Sequence, residues 1–598
     1  MKLNIPQKVY DNNNKLFKGT AYDIRAYVGE PNAFFGDDAV LTPEAMEVAG
    51  ALTALVAFKR EDGSIVQLNV GDTVVVGYDN GPTSKQLADA FCNGLNNQGV
   101  NAYNIGISSS GQVYQAQELL KAQGHCQITR SHVEVTTNGA KFGVGIQGIH
   151  TYLLAQMNEA VKNGIEARDV SKGKTENKID EARKIYFDKM KKIYGDYFSK
   201  RDNSKVAINV FGGTGVQYVD LFRDIFGKDV TILADDINVN DGKLLADPTR
   251  KEMLERVPNL QATLDSGKRV HSFDLDADRG SLSEGAEALT LTGKGHYLGD
   301  DLAFILAAYK LNRAVPELEK KLKSLNVSED NINKILEIAK TVYVDARYTS
   351  SVKTYVDNTL KGNTAFHRKG HSLWKETITS NMQKMAELAG YKTIQEFVTA
   401  SNYRDIQIEA SLHMFSTDTE DGIPRDDAVE NIFILEKLLD ELEIHNLGAY
   451  FADLPHRFIT KEIRTTSVSN EAKDTITASI IEHIRRMFTG KKDCSIVEFD
   501  GQIRVDWPTG FLMYGMSNTS PKLTFMVEGS TPEERNEALA FVLALHNQEK
   551  SSAGDTLPMD TSENPFFIKD ESYNMKNPDD IDFDDYRVKS FMEKFSIK

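Results

Sequence analysis

The chain has little of what extracellular scaffolds, zinc proteins and membrane proteins depend on. Only three cysteines occur among 598 residues, too few and too scattered for a disulfide framework or a zinc site. No apolar run reaches the roughly 18 residues of a membrane-spanning helix, and the amino terminus lacks the apolar core of a signal peptide. The formal net charge of −17 argues against a basic nucleic-acid-binding surface. We therefore expect a cytoplasmic protein of several domains that binds neither membranes nor nucleic acids.

A strand–helix–strand pattern occurs three times, at intervals of roughly 130 residues. The leading strands are predicted at 73–78, 205–210 and 341–345. Each is followed by a helical stretch and a second short strand, at 102–105, 229–233 and 365–367. Three α/β units with partly parallel sheets are therefore expected.

The last large segment has a different pattern. Residues 471–487 are helical by period, and four short strands follow, at 495–499, 503–506, 511–514 and 523–527. Short turns between the strands predict an antiparallel meander. Thr531 and Pro532 then have the residue types of a helix N-cap and first position. This segment is predicted to be α+β.

A hydroxyl and an imidazole lie side by side at Ser131-His132, followed by an Asn138-Gly139 turn and Lys141. The preceding apolar stretch places the pair on a loop at the end of a secondary-structure element. Such a loop can present Ser131 as a nucleophile, with Lys141 as a cation for a phosphate or an oxyanion. On its own, a Ser-His pair in a polar loop is more often a solvated turn.

A second segment carries three carboxylates at alternate positions, Asp274, Asp276 and Asp278. In an extended segment alternate residues face one way, so the three are expected to converge on one point. An all-carboxylate set suits Mg²⁺, Mn²⁺ or Ca²⁺. A calcium loop of the EF-hand type requires Gly at position six, where this chain has Arg279.

Five segments in chain order resemble motifs of the α-D-phosphohexomutases. Residues 129–141 resemble the T-A-S-H-N-P-x-x-x-N-G-x-K serine loop, and 274–279 resemble the D-G-D-A-D-R metal loop. Residues 22–25 read Y-D-I-R, as near the N-terminus of phosphomannomutase/phosphoglucomutase enzymes. Residues 409–413 are similar to the sugar-reading G-E-M-S-G-H, and 517–521 to the phosphate loop R-x-S-N/G-T-x-P.

The resemblance implies three similar mixed α/β domains and a smaller C-terminal α+β domain, arranged around a central cleft. It also implies a reaction, in which a phosphate moves between O1 and O6 of a hexose through a phosphoserine enzyme and a bisphosphorylated sugar. Mg²⁺ is the implied cofactor and glucose 1,6-bisphosphate the implied activator. The implied partner is a phosphosugar substrate, and the oligomeric state is left open.

The residues implied by the resemblance form three sets. The metal ligands are Ser131, which is also the nucleophile, Asp274, Asp276 and Asp278. The catalytic cations and proton-transfer groups are Arg25, His132, Lys141, Arg279 and His371. The substrate-binding residues are Tyr22, Arg347, Glu409, Ser411, His413, Ser517, Asn518 and Thr519.

The motifs also predict domain limits. Domain 1, at 1–200, carries the serine loop and ends in a charged helical connector. Domain 2, at 201–300, carries the metal loop. Domain 3, at 301–455, carries the sugar loop with helical insertions, and domain 4, at 456–548, carries the phosphate loop. An acidic extension, 549–598, follows.

The chain departs from the motifs at several positions. Both arginines of the family's G-R-D-x-R segment are missing at 77–81, and Arg130 and Glu134 stand in the serine loop. The leading arginine of the phosphate loop is Gly515, with Lys522 and Arg504 as candidate replacements. Because arginine contacts phosphate in a bidentate manner, we expect weaker or altered binding at the phosphate end.

Three functions are consistent with the sequence. The first is an Mg²⁺-dependent mutase for glucose or mannose phosphates. The second is another phosphotransferase on the same scaffold, either a glucosamine or pentose phosphate mutase or an enzyme that makes the sugar bisphosphate. The third is a regulatory protein that binds sugar phosphates without turnover.

Overall fold

The computed structural model describes residues 1–18, 23–60, 63–145, 151–236, 245–285, 296–368, 370–454, 456–460, 462–466, 469–499, 501–516, 522–553 and 580–597. The fold is mixed α/β with several sheets, as the sequence predicts. The chain forms two compact units. The first contains Met1–Ala288, Gly295–Ala339 and Gly370–Leu447, and the second contains Leu289–Lys294, Lys340–Lys369 and Gly448–Lys598. The predicted five-segment division stays a prediction.

The largest sheet of the first unit has a parallel centre, in which Thr73–Tyr78 lies between its two neighbours. Its β-branched, fully apolar middle residues suit a strand buried on both faces. The strand order is Ile24–Tyr27, Thr137–Val144, Gly124–Ile128, Thr73–Tyr78, Asn101–Ile107 and Thr175–Asn177. The helices of this region are Gln7–Asp11, Asn13–Leu16, Pro43–Leu55, Ser84–Asn97, Ser110–Leu119, Thr151–Asn163 and Ile179–Phe198, and a small ribbon pairs Phe58–Lys59 with Ile65–Val66.

The connector after this sheet is not purely helical, as the sequence suggested. Between its two helices, Thr175–Asn177 forms a strand that pairs in parallel with Asn101–Ile107. The unpaired backbone groups of a sheet edge favour such an addition. This part of the connector prediction was therefore wrong.

A second, four-stranded sheet carries the metal loop. Its order is Thr231–Leu233, Val206–Asn209, Arg269–Phe273 and Gly280–Glu284. The first three strands are parallel, and the last pair is antiparallel, so residues 274–279 form the tight connection between them. The flanking helices are Thr214–Tyr218, which is 3₁₀, Val219–Phe226, Lys251–Leu254 and Leu260–Asp265.

The remainder of the first unit is mostly helical, as predicted for the insertions. A three-stranded antiparallel sheet joins Ile406–Ile408, Met414–Thr417 and Pro424–Arg425. The helices are Gly299–Tyr309, Lys310–Ala314, which is a π-helix, Val315–Ser324, Glu329–Ala339, His371–Leu388, Ile394–Ser401 and Ala428–Glu441. Asp427 caps the last of these by accepting from the backbone N–H groups of Val429 and Glu430.

The second unit contains the third parallel strand pair, Thr341–Asp345 with Asn363–His367, and a larger antiparallel sheet. The predicted meander is confirmed as Ser495–Phe499, Gln502–Trp507, Gly510–Met516 and Lys522–Gly529, joined by Phe458–Ile459 and Ile463–Thr466. The helices are Ser350–Thr354, Tyr355–Thr359, Leu447–Ala452, Asn470–Phe488, Pro532–Ala553 and Tyr586–Lys594. Thr531 accepts from the backbone N–H of Glu534 over 3.2 Å, as its predicted N-cap role requires. Among the described helices, none has the length and apolar character to cross a membrane.

The last helix, Tyr586–Lys594, packs into the core of the second unit. Phe591 is fully buried, and its ring centre lies 4.9 Å from that of Phe541 and 5.6 Å from that of Trp507. The acidic extension thus ends in an element that closes part of an apolar core.

Replacing Phe591 with alanine is expected to lower the free energy of unfolding of the second unit by about 3–5 kcal/mol, because a large cavity forms. The measurement is urea unfolding followed by Trp507 fluorescence in a Trp374→Phe background, since the chain has two tryptophans. Tyr586→Ala in the same helix is the control, because that side chain is 76% exposed and should change stability by less than about 0.5 kcal/mol. Equal unfolding midpoints for the two variants would contradict the packing.

Candidate active site

The serine loop follows the buried strand Gly124–Ile128 and leads into the antiparallel strand Thr137–Val144. Ser131 is 3% exposed and has a left-handed backbone conformation, with φ of 54°. Its Oγ lies 3.2 Å from Oδ2 of Asp274 and 3.1 Å from Nδ1 of His132. The predicted nucleophile and the predicted metal loop therefore meet, although 143 residues separate them in the chain.

Asp79 holds the serine loop in place. One carboxylate oxygen accepts from the Thr129 hydroxyl and from the backbone N–H of Arg130, each over 2.9 Å. The other accepts from the backbone N–H of Gly81 and from the hydroxyl of Ser84. The sequence showed only that this segment lacks the family's arginines, and the supporting role of the remaining aspartate was missed.

Arg25 reaches the same loop from the edge strand Ile24–Tyr27. Its guanidinium donates to the carbonyl oxygen of Thr129 and pairs with Asp23. Arg25 lies opposite Gly139 in the strand pairing, and a Cβ at that glycine would be 1.9 Å from the carbonyl oxygen of Ile24. The Asn-Gly pair thus permits the close strand approach that places Arg25 beside the nucleophile.

The metal loop brings its three carboxylates together, but not as an extended segment. Residues 274–279 form a turn between two strands, with Ala277 at a φ of 49°. One ligand oxygen from each of Asp274, Asp276 and Asp278 lies within 4.8 Å of the others, and all three residues are fully buried. The predicted convergence is confirmed, whereas its predicted strand geometry was wrong.

Hydrogen-bond donors contact only some of the carboxylate oxygens of the metal loop. Asp274 accepts through Oδ1 from the backbone N–H groups of Asp278 and Arg279. Asp276 accepts through Oδ2 from the Lys141 ammonium over 2.7 Å, and Lys141 also contacts Oδ2 of Asp278. Among the described residues, Oδ1 of Asp276 and Oδ1 of Asp278 have no hydrogen-bond donor. Buried carboxylate oxygens without donors are the ligands that Mg²⁺ prefers, so these residues fit a divalent cation.

The electrostatics of the cluster lead to the same conclusion. Burial, followed by the charges of Asp278 and Asp276, raises the pKa of Asp274 well above its usual range. Burial opposes the charged form of Asp278, but the charges of His413, Lys141 and Arg279 outweigh it and lower the pKa of Asp278 to about 2. Lys141 and Arg279 therefore offset two of the three negative charges, and a divalent cation would complete the balance.

Arg279 lies between the two histidines nearest the serine. Its Nη1 donates to Nδ1 of His132 over 2.6 Å, and its Nε donates to Nε2 of His413 over 2.9 Å. Because arginine has only donors, both histidine nitrogens must accept. Burial, followed by the charges of Arg279 and Arg25, lowers the pKa of His132 well below its usual range. Arg279 thus holds His132 as a neutral ring beside Ser131.

His413 also contacts Asp426 and His371, which were named less prominently by the motifs or not at all. Nδ1 of His413 is 3.2 Å from Oδ2 of Asp426, and the ring of His413 stacks on that of His371 with centres 5.5 Å apart. Lys375 donates to Oδ1 of the same aspartate over 2.8 Å. Lys375 and Asp426 were missed, because the sequence shows only a lysine in a helical stretch and the residue before a helix cap.

The sugar loop lies next to these groups. Glu409 is 2% exposed, accepts from the Ser411 hydroxyl and, over 3.2 Å, from the backbone N–H of Gly370. Its Oε1 is 3.9 Å from Nε2 of His413. Glu409, Ser411 and His413 are therefore gathered with the serine and metal loops in the first unit.

Five further residues were predicted to bind substrate. Tyr22, Ser517, Asn518 and Thr519 are outside the described residues. Arg347 belongs to the second unit, where its guanidinium donates to both carboxylate oxygens of Asp345 over 2.9 and 2.7 Å. Its role in binding substrate stays a prediction.

Arg504 does not replace the arginine missing at Gly515. It is fully buried in the second unit and donates to Asp506 and to the carbonyl oxygens of Ala346 and Tyr348. Its guanidinium carbon also lies 3.7 Å from the ring centre of Phe511. At Gly515 a Cβ would meet Cγ of Gln502 at 2.5 Å, so a larger residue requires a shift of that side chain.

The comparisons with known proteins agree with the motifs. The sequence model for "Phosphoglucomutase/phosphomannomutase, alpha/beta/alpha domain I" matches residues 19–168. A phosphoglucomutase from Neisseria gonorrhoeae is 24% identical over 515 residues, covering 86% of this chain and 92% of that protein. A phosphomannomutase/phosphoglucomutase from Pseudomonas aeruginosa is 23% identical over 515 residues, with 86% and 92% covered. A solved phosphoglucomutase/phosphomannomutase family protein from Burkholderia thailandensis has a TM-score of 0.62 at 19% identity, covering 93% of this chain and 100% of that one.

These similarities span most of the chain, while the matched domain model covers the segment that carries the serine loop. The fold of the solved relative is shared, and the hydroxyl and the three carboxylates named by the motifs meet in one buried site. The chain therefore resembles the α-D-phosphohexomutases, with phosphoglucomutase and phosphomannomutase/phosphoglucomutase enzymes among the proteins to which it is similar over most of its length.

Proposed function

We propose that this phosphohexomutase interconverts hexose 1-phosphate and hexose 6-phosphate, with glucose or mannose as the sugar, through phosphorylated Ser131. The contact of 3.2 Å between Oγ of Ser131 and Oδ2 of Asp274 carries the proposal. A serine hydroxyl directed at a buried carboxylate cluster has the donor set for a divalent cation and a phosphate held together.

In the forward half-reaction, the bond between phosphorus and Oγ of Ser131 breaks while a sugar hydroxyl forms a new bond to the same phosphorus. A histidine of the site takes the proton of the sugar hydroxyl, Oγ of Ser131 leaves the phosphorus and regains a proton as the serine hydroxyl, and the bisphosphorylated sugar results. The sugar then turns in the site, and Oγ of Ser131 accepts the other phosphate. The second transfer regenerates the phosphoserine and releases the product.

The protein's charged groups have distinct tasks in this scheme. Lys141, Arg25 and Arg279 hold positive charge near the transferring group. His132, which lies beside Ser131, and His371 are the candidate proton-transfer groups, since Arg279 and Asp426 contact both ring nitrogens of His413.

Ser131, Asp274, Asp276 and Asp278 would hold Mg²⁺, which when bound supplies positive charge to neutralise the phosphoryl oxygens. Glu409 and Ser411 would bind sugar hydroxyls, while Ser517, Asn518 and Thr519 would hold the phosphate that does not react. Glucose 1,6-bisphosphate would activate the enzyme by phosphorylating Ser131. We keep the cytoplasm as the expected location, because all three cysteines are free thiols.

The test is a mutase assay on the purified chain with Mg²⁺, supplied in turn with glucose 1-phosphate, mannose 1-phosphate and glucosamine 1-phosphate, with and without glucose 1,6-bisphosphate. Mass spectrometry of the same sample locates phosphate on the protein. We expect 6-phosphate product from a hexose substrate and phosphate on Ser131. Turnover of glucosamine phosphate alone would change the substrate class, and absence of both product and phosphoserine would overturn the proposal in favour of a binding protein.

A further inference from the structure

The helix Ser110–Leu119 begins beside the metal loop. The hydroxyl of Ser110 donates to Oδ2 of Asp276 over 2.7 Å, and its backbone N–H donates to the carbonyl oxygen of Asp276 over 2.9 Å. Both residues are fully buried. Ser110 thus holds Asp276 of the metal loop through both its side chain and its backbone.

The carboxylate of Asp276 is held from a second side as well. Lys141 donates to the same Oδ2 over 2.7 Å. Two donors on one oxygen fix the rotation of the carboxylate and leave Oδ1 as the atom without a donor among the described residues. That arrangement keeps one oxygen of Asp276 available as a metal ligand while the other is permanently engaged.

Ser110 is itself firmly placed. Its neighbour Ser109 caps the helix by accepting from the backbone N–H of Gln112 over 3.1 Å. The hydroxyl of Tyr218 donates to Oγ of Ser109 over 3.0 Å and accepts from the backbone N–H of the same residue over 2.8 Å. The start of the helix therefore cannot move without breaking several buried hydrogen bonds.

We propose that Ser110 is a positioning residue for the metal centre, which locks Asp276 in the orientation that binds a divalent cation. The inference rests on the proposed function, because it assumes that the carboxylate cluster holds such an ion. A Ser-Ser-Ser-Gly run at the start of a helix is typical of a cap alone, so this contact could not be predicted from the sequence.

The test titrates Mg²⁺, and separately Mn²⁺, into the phosphate-free full chain by calorimetry without any sugar. We expect Ser110→Ala to weaken metal binding about 10- to 100-fold, as losses of outer-shell partners do. In the mutase assay, the metal concentration for half-maximal rate should rise by a similar factor, while kcat at saturating metal stays close to wild type.

Ser109→Ala is the matched control, because it removes a buried hydroxyl and the helix cap but keeps the backbone hydrogen bonds of Ser109 and Ser110 that hold the start of the helix, and no contact to Asp276 is lost. It should lower the melting temperature and leave the metal dissociation constant within about twofold of wild type. Equal metal affinity of wild type and Ser110→Ala, or equal weakening by the two alanine variants, would overturn the inference alone. A wild-type chain that binds neither ion would overturn both the inference and the metal-dependent function.

Discussion

Ser131→Ala is expected to lower kcat by at least about 10⁴-fold, because it removes the group that accepts and donates the phosphate. The fold around it should remain, since Asp79 fixes the loop through Thr129 and the backbone of Arg130 rather than through Ser131. The measurement combines the mutase assay with radiolabelled glucose 1,6-bisphosphate, which should label the wild type and leave the variant unlabelled. Label on the alanine variant would mean that another residue is the nucleophile.

The backbone of Ser131 allows a sharper version of this experiment. At a φ of 54° a side chain costs about 1 kcal/mol or more relative to glycine. Ser131→Gly should therefore be as inactive as Ser131→Ala and yet more stable by about 1 kcal/mol. Urea unfolding followed by Trp374 in a Trp507→Phe background measures the first unit, which contains Ser131. A glycine variant less stable than the alanine variant would show that the conformation carries no strain.

Strain at the nucleophile is consistent with a functional site, where tight geometry is retained despite its cost. The left-handed residue turns the chain just after Gly124–Ile128, which directs the hydroxyl toward Asp274. The same conformation occurs at Ala277 in the metal loop and at Leu412 in the sugar loop. Three of the loops that supply the site therefore each contain one such non-glycine residue.

Local pattern was sufficient to predict the three repeated strand pairs and the C-terminal meander. Apolar β-branched runs such as 73–78 specify buried strands, and the Asp500-Gly501 and Pro508-Thr509-Gly510 turns specify the meander, so the strands were found within a few residues. The three leading strands are each parallel to the strand that follows, and the helix between them supplies the crossover connection that parallel neighbours need. The strand at 175–177 was missed because its Thr-Glu-Asn sequence has no apolar periodicity.

The site was predicted through its motif-bearing residues, whereas the residues that hold them were not. Asp79, Ser110 and Asp426 each touch a motif residue, yet each comes from a different part of the chain. Such contacts depend on three-dimensional closure, and no periodicity or spacing encodes them. Arg504 shows the converse, since this basic residue near the phosphate loop in sequence is engaged by Asp506 and by two backbone carbonyl oxygens of its own unit.

The other large effect concerns Lys141, whose ammonium is the cation between Asp276 and Asp278. Lys141→Met would leave three buried carboxylates without it, and the raised pKa of Asp274, due to burial and its two neighbours, shows that they already repel one another. Without metal, the free energy of unfolding should fall by about 3–5 kcal/mol, as when one partner of a buried ion pair is lost. A divalent cation should restore more stability to this variant than to wild type, because it meets a greater excess of negative charge.

Lys141→Met should increase the stabilisation by a divalent cation but decrease kcat. Loss of Lys141 removes a fixed positive charge from the transferring phosphate, so kcat should fall by about 10²- to 10³-fold even at saturating Mg²⁺. Lys85→Met is the matched control, because that lysine is 68% exposed and its pair with Asp89 contributes less than about 1 kcal/mol. The measurements are urea unfolding with and without Mg²⁺, and the mutase assay across a Mg²⁺ series. If Mg²⁺ stabilised Lys141→Met no more than it stabilises Lys85→Met, the carboxylate cluster would not be a metal site, because its strongest competing cation would have been removed without consequence.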